Sequence, residues 1–212
     1  IGTYAYNLMK TLWDIDQTNN YIGWIPESSP FCDLSRQANV TLHRTPVSTQ
    51  HMVRHLLWEQ TQLPFALRQY QTDMFFSPSY TLPVLRISRS AYVVTVHDLI
   101  LHHYPETKKR LFNLYMQMSM RQIVRSADLI LVDSDQTRRD LIDIYHIAED
   151  RLVTIHLAAS DFFAQPIPAD TLHNVQTRYD LGDMAILAVG DIEPRKNVTT
   201  LIKAVSMLKE RG

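Results

Sequence analysis

Cysteine is nearly absent. Cys32 stands alone among 212 residues, so no internal disulfide can staple the chain, which fits a reducing compartment. Long apolar runs are missing too, and nothing approaches the ~20 consecutive apolar residues of a membrane span. Net charge almost vanishes, at −1 from 21 Lys and Arg against 22 Asp and Glu. A surface so balanced has no global basic field, and no nucleic-acid partner is expected. There is no internal repeat and no low-complexity tract. No signal peptide is visible. The chain opens on Ile1 rather than Met, and Gly212 comes just past a helical pattern. It therefore reads as a fragment of a longer protein, in which missing targeting signals carry little weight.

What is present is 45% apolar content, enough for one packed domain and part of another. Helix and strand signals alternate, which predicts an α/β fold with a mostly parallel sheet. Residues 3–15 and 50–70 read as helices, the second kinked or divided by Pro64. Residues 21–26, 40–44, 73–77, 91–96, 129–132 and 151–157 read as strands. Pro105-Glu106 is a helix start, and that helix runs to about Ser126. Ser134 can cap the next, which ends near Tyr145. Residues 160–169, with Pro166 and Pro168, read as a linker. The expected layout is an N-terminal domain over 1–160, a linker over 161–170 and the first elements of a second domain over 171–212.

The densest chemistry lies at Val189-Gly190-Asp191-Ile192-Glu193-Pro194-Arg195-Lys196-Asn197. The apolar run 185–189 before it reads as a buried strand. After it, Val198, Leu201, Ile202, Val205 and Leu208 share one helical face. Two adjacent cations thus occupy a strand-to-helix loop, where backbone N–H groups and the helix dipole already favour an anion. Such loops are where open α/β sheets bind ligands. Arg195 and Lys196 there point to a diphosphate, held by a fork and a point charge. The bland alternative is a solvated loop in which Arg195 pairs with Glu193.

Residues 185–210 resemble the opening of the second domain of retaining GT-B glycosyltransferases of the group 1, or family 4, class. Other pieces agree in order: Ile1-Gly2-Thr3-Tyr4-Ala5-Tyr6-Asn7-Leu8, Trp58-Glu59-Gln60 with Leu63-Pro64, Ser77-Pro78-Ser79-Tyr80 with Leu82-Pro83, Val94-Thr95-Val96-His97-Asp98-Leu99, and Val132-Asp133-Ser134 with Thr137-Arg138-Arg139-Asp140-Leu141. Several of these are similar to a mannosyltransferase-like subgroup. The resemblance implies a GT-B type Rossmann-like domain with a parallel sheet, plus the first elements of a second such domain. It implies transfer of a hexosyl group, with mannosyl the subgroup's expectation, from a nucleotide diphosphate sugar to a glycan or lipid-linked acceptor, with retention. It also implies that protein cations, with no metal and no cofactor, stabilise the departing diphosphate. Asp191 departs from the class pattern, in which a basic residue often follows the glycine, and Arg195 can substitute. The paired glutamates of the class fall beyond Gly212, so the fragment alone is expected to be inactive.

The remaining candidates keep competing readings. His97, at a strand's carboxyl end, is expected by resemblance to contact the transferred sugar. It can instead be a structural histidine, or join Asp98, His102 and His103 around a metal, although that spacing matches no familiar metal signature. Asp98 fixes the loop or the imidazole tautomer rather than acting as a base. Gly2, before a helix N-terminus, either admits a donor phosphate closely or is an ordinary cap. Tyr80 either meets an acceptor sugar or packs down, the latter slightly preferred. Glu59 reads as a solvated charge or ion-pair partner. Ser134 is first a helix cap and second a hydroxyl facing the cleft. The helix from Lys108 to Arg125, bearing Lys108, Lys109, Arg110, Arg121 and Arg125 among apolar residues, reads as a core helix with a solvated basic face, or as a peripheral contact on the cytoplasmic face of a membrane. No carboxylate pair at glycosidase-like spacing can be argued. The rival functions are a GT-B nucleotide-sugar epimerase and a non-catalytic nucleotide- or sugar-binding module.

Overall fold

The computed structural model describes residues 2–26, 29, 37–45, 52–107, 110–182 and 185–210. Cys32, Lys108 and Lys109 lie outside them. The chain divides into two compact units, Ile1–Leu157 and Ala158–Gly212.

Unit 1 begins with α1 (Gly2–Ile15), which turns Ala5 and Trp13 inward. Two strands follow, β1 (Tyr21–Pro26) and β2 (Val40–Thr45), paired in parallel from Tyr21↔Val40 to Pro26↔Thr45. A Cβ on Gly23 would sit 2.7 Å from Leu42 Cδ2, so only glycine lets Leu42 lie there undisturbed. The next helical stretch divides as its proline predicts, into α2 (Met52–Thr61) and α3 (Leu63–Gln69). Pro64 sits in the first turn of α3, where its missing N–H leaves no bond unmade.

The second sheet positions the site. Strands β3 (Met74–Ser77), β4 (Ala91–Val96), β5 (Leu129–Val132) and β6 (Leu152–Thr154) lie side by side in that order, all parallel. Short α4 (Ile100–His103), a 3-10 turn Pro105–Thr107 and α5 (Arg110–Ser126) connect β4 to β5. Between β5 and β6 runs α6 (Asp135–Tyr145). Ser134 caps α6 by accepting the Thr137 N–H, and His146 closes it with φ +54° and an N–H to Ile142 O. Tyr92, Val94, Val96, Ile130 and Val132 are fully buried among Leu67, Ile123 and Leu141. Runs apolar on both faces are what a covered parallel sheet requires. Truncating Ile130 to Ala there costs about 2–5 kcal/mol.

Unit 2 contains a 3-10 turn (Asp161–Ala164), α7 (Ala169–Arg178), a second 3-10 turn (Pro194–Lys196) and α8 (Val198–Glu210).

The α/β, parallel-sheet expectation holds, with four corrections. The parallel strands form two sheets, because no described strand hydrogen-bonds β1 or β2 to β3–β6. The expected strand 185–189 has no ladder, since no described strand of unit 2 lies beside it to take its backbone groups. The strand at 151–157 is shortened to Leu152–Thr154, because Arg151 closes a 3-10 turn and donates its guanidinium to Val124 O and Ala127 O. The helix expected from Pro105 opens as a 3-10 turn, with α5 described from Arg110.

Candidate functional site

All four strands of the larger sheet point the same way, so Ser77, Val96, Val132 and Thr154 deliver the chain to one edge. The register Val96↔Val132 then sets the next two residues, His97 and Asp133, side by side. His97 Nδ1 lies 2.6 Å from Asp133 Oδ2, and Nε2 lies 3.1 Å from Pro78 O. The two side chains are only 13% and 14% exposed. Both partners accept and neither donates. A neutral ring therefore makes one of these hydrogen bonds, and a doubly protonated ring makes both. Tyr4 meets the ring edge-on at 4.9 Å, and Tyr80 does so from 5.8 Å. The imidazole is thus fixed in plane and position. To reach a ligand hydroxyl, Nε2 has only to exchange the Pro78 carbonyl for it.

The supporting residues are bound into the same edge. The Tyr4 hydroxyl shares a hydrogen bond with Thr95 Oγ1 at 3.0 Å, so the first turn of α1 begins beside His97. Gly2 is exposed there, and a Cβ on it would meet nothing within 4 Å. The protein itself therefore does not require glycine at that position, and the space is open to a ligand. Tyr80 packs down: its hydroxyl accepts the Asp98 N–H at 3.0 Å. Burial, then the nearby Asp98 charge, holds that hydroxyl well above its ordinary pKa, so it stays a neutral phenol. Asp98 Oδ1 accepts the Ile100 N–H at 3.1 Å. Asp98 therefore fixes its loop, while the imidazole is held by Asp133. Thr137, held by the Ser134 cap, donates its hydroxyl to His97 O at 3.1 Å. The cap reading of Ser134 is the one seen.

Of the two readings of Glu59, the solvated charge is not seen, and an ionisable partner, His55, lies beside it. Glu59 is 4% exposed, because α2 turns it onto the 77–83 loop, whose polar groups need partners. Its Oε2 accepts the Thr81 hydroxyl at 2.7 Å. Gln60 donates to Glu59 Oε1 at 3.2 Å and to Leu82 O at 3.1 Å, and accepts the Val84 N–H at 2.7 Å. Burial raises the Glu59 carboxyl pKa, with Thr81 and Gln60 opposing. His55, 3.6 Å away, is pushed the other way, because burial disfavours its charged form.

The histidines considered for a metal go to separate partners. His103 Nε2 lies 2.9 Å from Asp140 Oδ2, His102 stands edge-on to His103, and His97 is taken by Asp133. Among the described residues no three His, Cys, Asp or Glu side chains gather as a metal site.

In unit 2, Gly190 adopts φ +138°, a conformation that side chains disfavour. The chain then turns through Glu193 N–H to Asp191 O and Lys196 N–H to Glu193 O. The Lys196 side chain lies over Gly190, with Nζ 3.9 Å from where a Cβ would be. Arg195 Nε donates to Glu193 Oε2 at 2.6 Å, the pairing set out as the bland alternative. Lys196 makes no ion pair among the described residues. The loop thus presents one committed guanidinium and one unpaired ammonium.

Sequence reasoning missed the roles of Asp133, Tyr4 and Thr137 around His97. For Asp133 a signal existed. Two adjacent parallel strands, each ending in Val followed by a polar residue, place those polar residues as neighbours once their register is aligned. Tyr4 and the Pro78 carbonyl come from segments 93 and 19 positions away from His97, and no local pattern joins them to it.

Residues 1–159 match the domain family Glycosyltransferase Family 4. The chain is 30% identical over 222 residues to O-antigen chain mannosyltransferase B of Escherichia coli, covering 98% of this chain and 56% of that protein. A stretch of 83 residues is 36% identical to the serotype-specific mannosyltransferase WbdA of Escherichia coli, covering 39% of this chain and 10% of that protein. The chain thus spans about half the length of the first relative and a tenth of the second. With three-quarters of its residues inside the family match and the ordered strand-end residues in place, the chain belongs to Glycosyltransferase Family 4.

Proposed function

We propose that the whole protein is a mannosyltransferase. It moves a mannosyl group from a nucleotide diphosphate sugar to a hydroxyl of a glycan or lipid-linked acceptor and retains the anomeric configuration. The observation that carries this reading is the near-full-length likeness to O-antigen chain mannosyltransferase B. The geometry supports it by fixing His97 at the carboxyl end of β4, in reach of a ligand at the edge where parallel sheets bind substrates. In this reading His97 contacts the transferred sugar, and Asp133 holds its ring. Asp98, Tyr80 and Ser134 keep the surrounding loops in place on the acceptor side. Unit 2 begins the nucleotide-sugar domain. Lys196 neutralises the leaving diphosphate, Arg195 joins it on exchanging Glu193 for phosphate, and the open space at Gly2 admits the donor. As the glycosidic bond breaks, charge grows on the diphosphate oxygen, which also takes the proton of the attacking hydroxyl. In this reading protein cations, rather than a metal, supply that charge stabilisation.

The test uses the full-length enzyme with a panel of nucleoside diphosphate mannoses and a manno-oligosaccharide acceptor. Release of nucleoside diphosphate, with a new linkage of the donor's anomeric configuration by NMR, is expected. A free epimerised sugar nucleotide, or nucleotide binding without turnover, overturns the reading.

The lipid side of the proposal rests on α5. Leu111, Leu114 and Met118 are exposed on it, on a face shared with exposed Arg110, Arg121 and Arg125. No helix among the described residues is long and apolar enough to cross a membrane. A face of this kind lies on an anionic leaflet rather than through it.

A further inference from the structure

We infer that unit 1 holds a second sugar-binding pocket, separate from the His97 cluster, which takes one pyranose ring of the acceptor glycan. The inference rests on the proposed glycan acceptor. The pocket is an open cleft of about 410 Å³ between the β1–β2 strands and helices α2 and α3, within the ~300–1,000 Å³ typical of small-molecule sites. None of its lining residues is among those that bond or stack with His97.

Its chemistry selects the ligand. Four aromatic rings line it: Trp24, Trp58, Phe65 and Tyr70. Trp24 and Tyr70 meet at 67° with centroids 6.0 Å apart, and Tyr70 tilts 43° against His43 at 5.0 Å. Trp24 and His43 lie nearer to parallel, at 25° with centroids 6.3 Å apart, so one near-parallel pair stands within an otherwise tilted set. A pyranose presents a face of C–H groups to a π surface and a rim of hydroxyls to everything else. Gln62 and Gln69 also line the pocket, and their side-chain amides bond to no described residue. An amide both donates and accepts, as a hydroxyl does. His43 supplies the third observation. It lines the pocket, and its Nε2 is buried with no hydrogen-bond partner among the described residues. A buried polar atom left unpaired is costly, and a small turn of the ring toward the pocket would let a ligand hydroxyl satisfy it.

The pocket is also linked to the reaction edge. Trp58 is followed by Glu59 and Gln60, which hold Thr81, Leu82 and Val84 of the loop carrying Tyr80. A sugar seated against Trp58 would therefore bear on the helix that anchors that loop.

Tyr70→Ala and Phe65→Ala in the full-length enzyme test the idea. Tyr70 and Phe65 are 39% and 61% exposed, so their removal leaves the core intact. With a manno-oligosaccharide acceptor, KM should rise about tenfold in each variant, the upper range for one lost aromatic face. Turnover at saturation and acceptor-free donor hydrolysis should not change. Saturation-transfer NMR with the same oligosaccharide should show contact in the wild type and lose it in the variants. Unchanged KM and unchanged saturation transfer in both variants would overturn the pocket while leaving the transferase reading intact. A wild type that transfers nothing defeats the transferase reading, yet saturation transfer lost in the variants would still support the pocket. Absence of saturation transfer to the wild type overturns it.

Discussion

In unit 1, Val94, Val96, Ile130 and Val132 of neighbouring strands are wholly sealed from solvent, while in unit 2 Leu187 of the apolar run 185–189 is 84% exposed. The two runs look alike as sequence. They differ in whether neighbouring strands exist to take their backbone groups. A strand depends on its partners for every hydrogen bond, whereas a helix or a glycine turn carries its own. That is why α7, α8 and the turn from Gly190 to Asn197 form in unit 2 while the strand does not. The residues proposed for the reaction divide the same way. His97 is positioned by contacts from three segments distant in sequence, around Tyr4, Pro78 to Tyr80 and Asp133 to Thr137. Lys196 is positioned by the backbone of its own loop.

The strongest test of this contrast is Lys196→Ala in the full-length enzyme. An ammonium aimed at a leaving diphosphate matters most when charge develops there, so turnover should fall by about 2–4 kcal/mol of barrier with little change in acceptor KM. Because local backbone alone places this residue, the variant should melt where the wild type does. Activity should persist in EDTA. Unchanged turnover in the folded variant, or activity that only a divalent ion restores, would remove the diphosphate role.

Asp133→Asn probes the opposite case, a residue placed by distant packing. Asn keeps the size but not the charge, and its amide can face His97 Nδ1 with a donor instead of an acceptor. A hydrogen bond to a charged group is worth about 1.5–3 kcal/mol, so turnover should fall roughly tenfold to a hundredfold. A folded variant with the wild-type rate would show that Asp133 does not govern His97.

Much of the fold was legible, for reasons particular segments make plain. The run from Ala91 to Val96 is β-rich and apolar, and nothing competes with its reading as a strand. Ser134, three residues before Thr137, announces its cap in the sequence. Pro64 announces the break between α2 and α3. The run 185–189 misled because periodicity reports burial potential and not the presence of a partner. Glu59 misled because charge argues for solvent unless a loop across the fold supplies Thr81. Within the site, the resemblance pointed to His97, but the choice between Asp98 and Asp133 as its partner depended on strand register. Register is a property of two segments together, which no single window of sequence contains.

A smaller effect is expected from the exposed face of α5, where the comparison concerns apolar groups that unit 1 leaves unsealed. Arg121→Gln should weaken binding to vesicles containing anionic lipid by about 1 kcal/mol, roughly fivefold, in a cosedimentation assay. Leu114→Gln should weaken it at any salt concentration, whereas the Arg121 effect should fade as salt rises. Vesicle binding that neither variant alters would assign the face to solvent.

The smallest effect belongs to Glu59, the polar counterpart of the sealed core. Burial raises its carboxyl pKa above the ordinary 4.5, so the folded chain keeps its proton at pH values where the unfolded chain has lost it. Below the ordinary value both states are protonated, and the contribution to stability is complete. As pH rises through the raised value the folded state must ionise a buried group, and that contribution is lost. Glu59→Gln can still accept the Thr81 hydroxyl but gives up the 3.2 Å contact with Gln60, a cost of about 1 kcal/mol or less. The wild type should therefore lose stability relative to the variant as pH rises above the ordinary carboxylate value, measured as Tm against pH. Thr81→Val should deepen that loss, because it removes a donor that opposes the burial effect. A wild type that gains on the variant over this range would mean that the carboxylate, not the acid, is the form the 77–83 loop was built to hold.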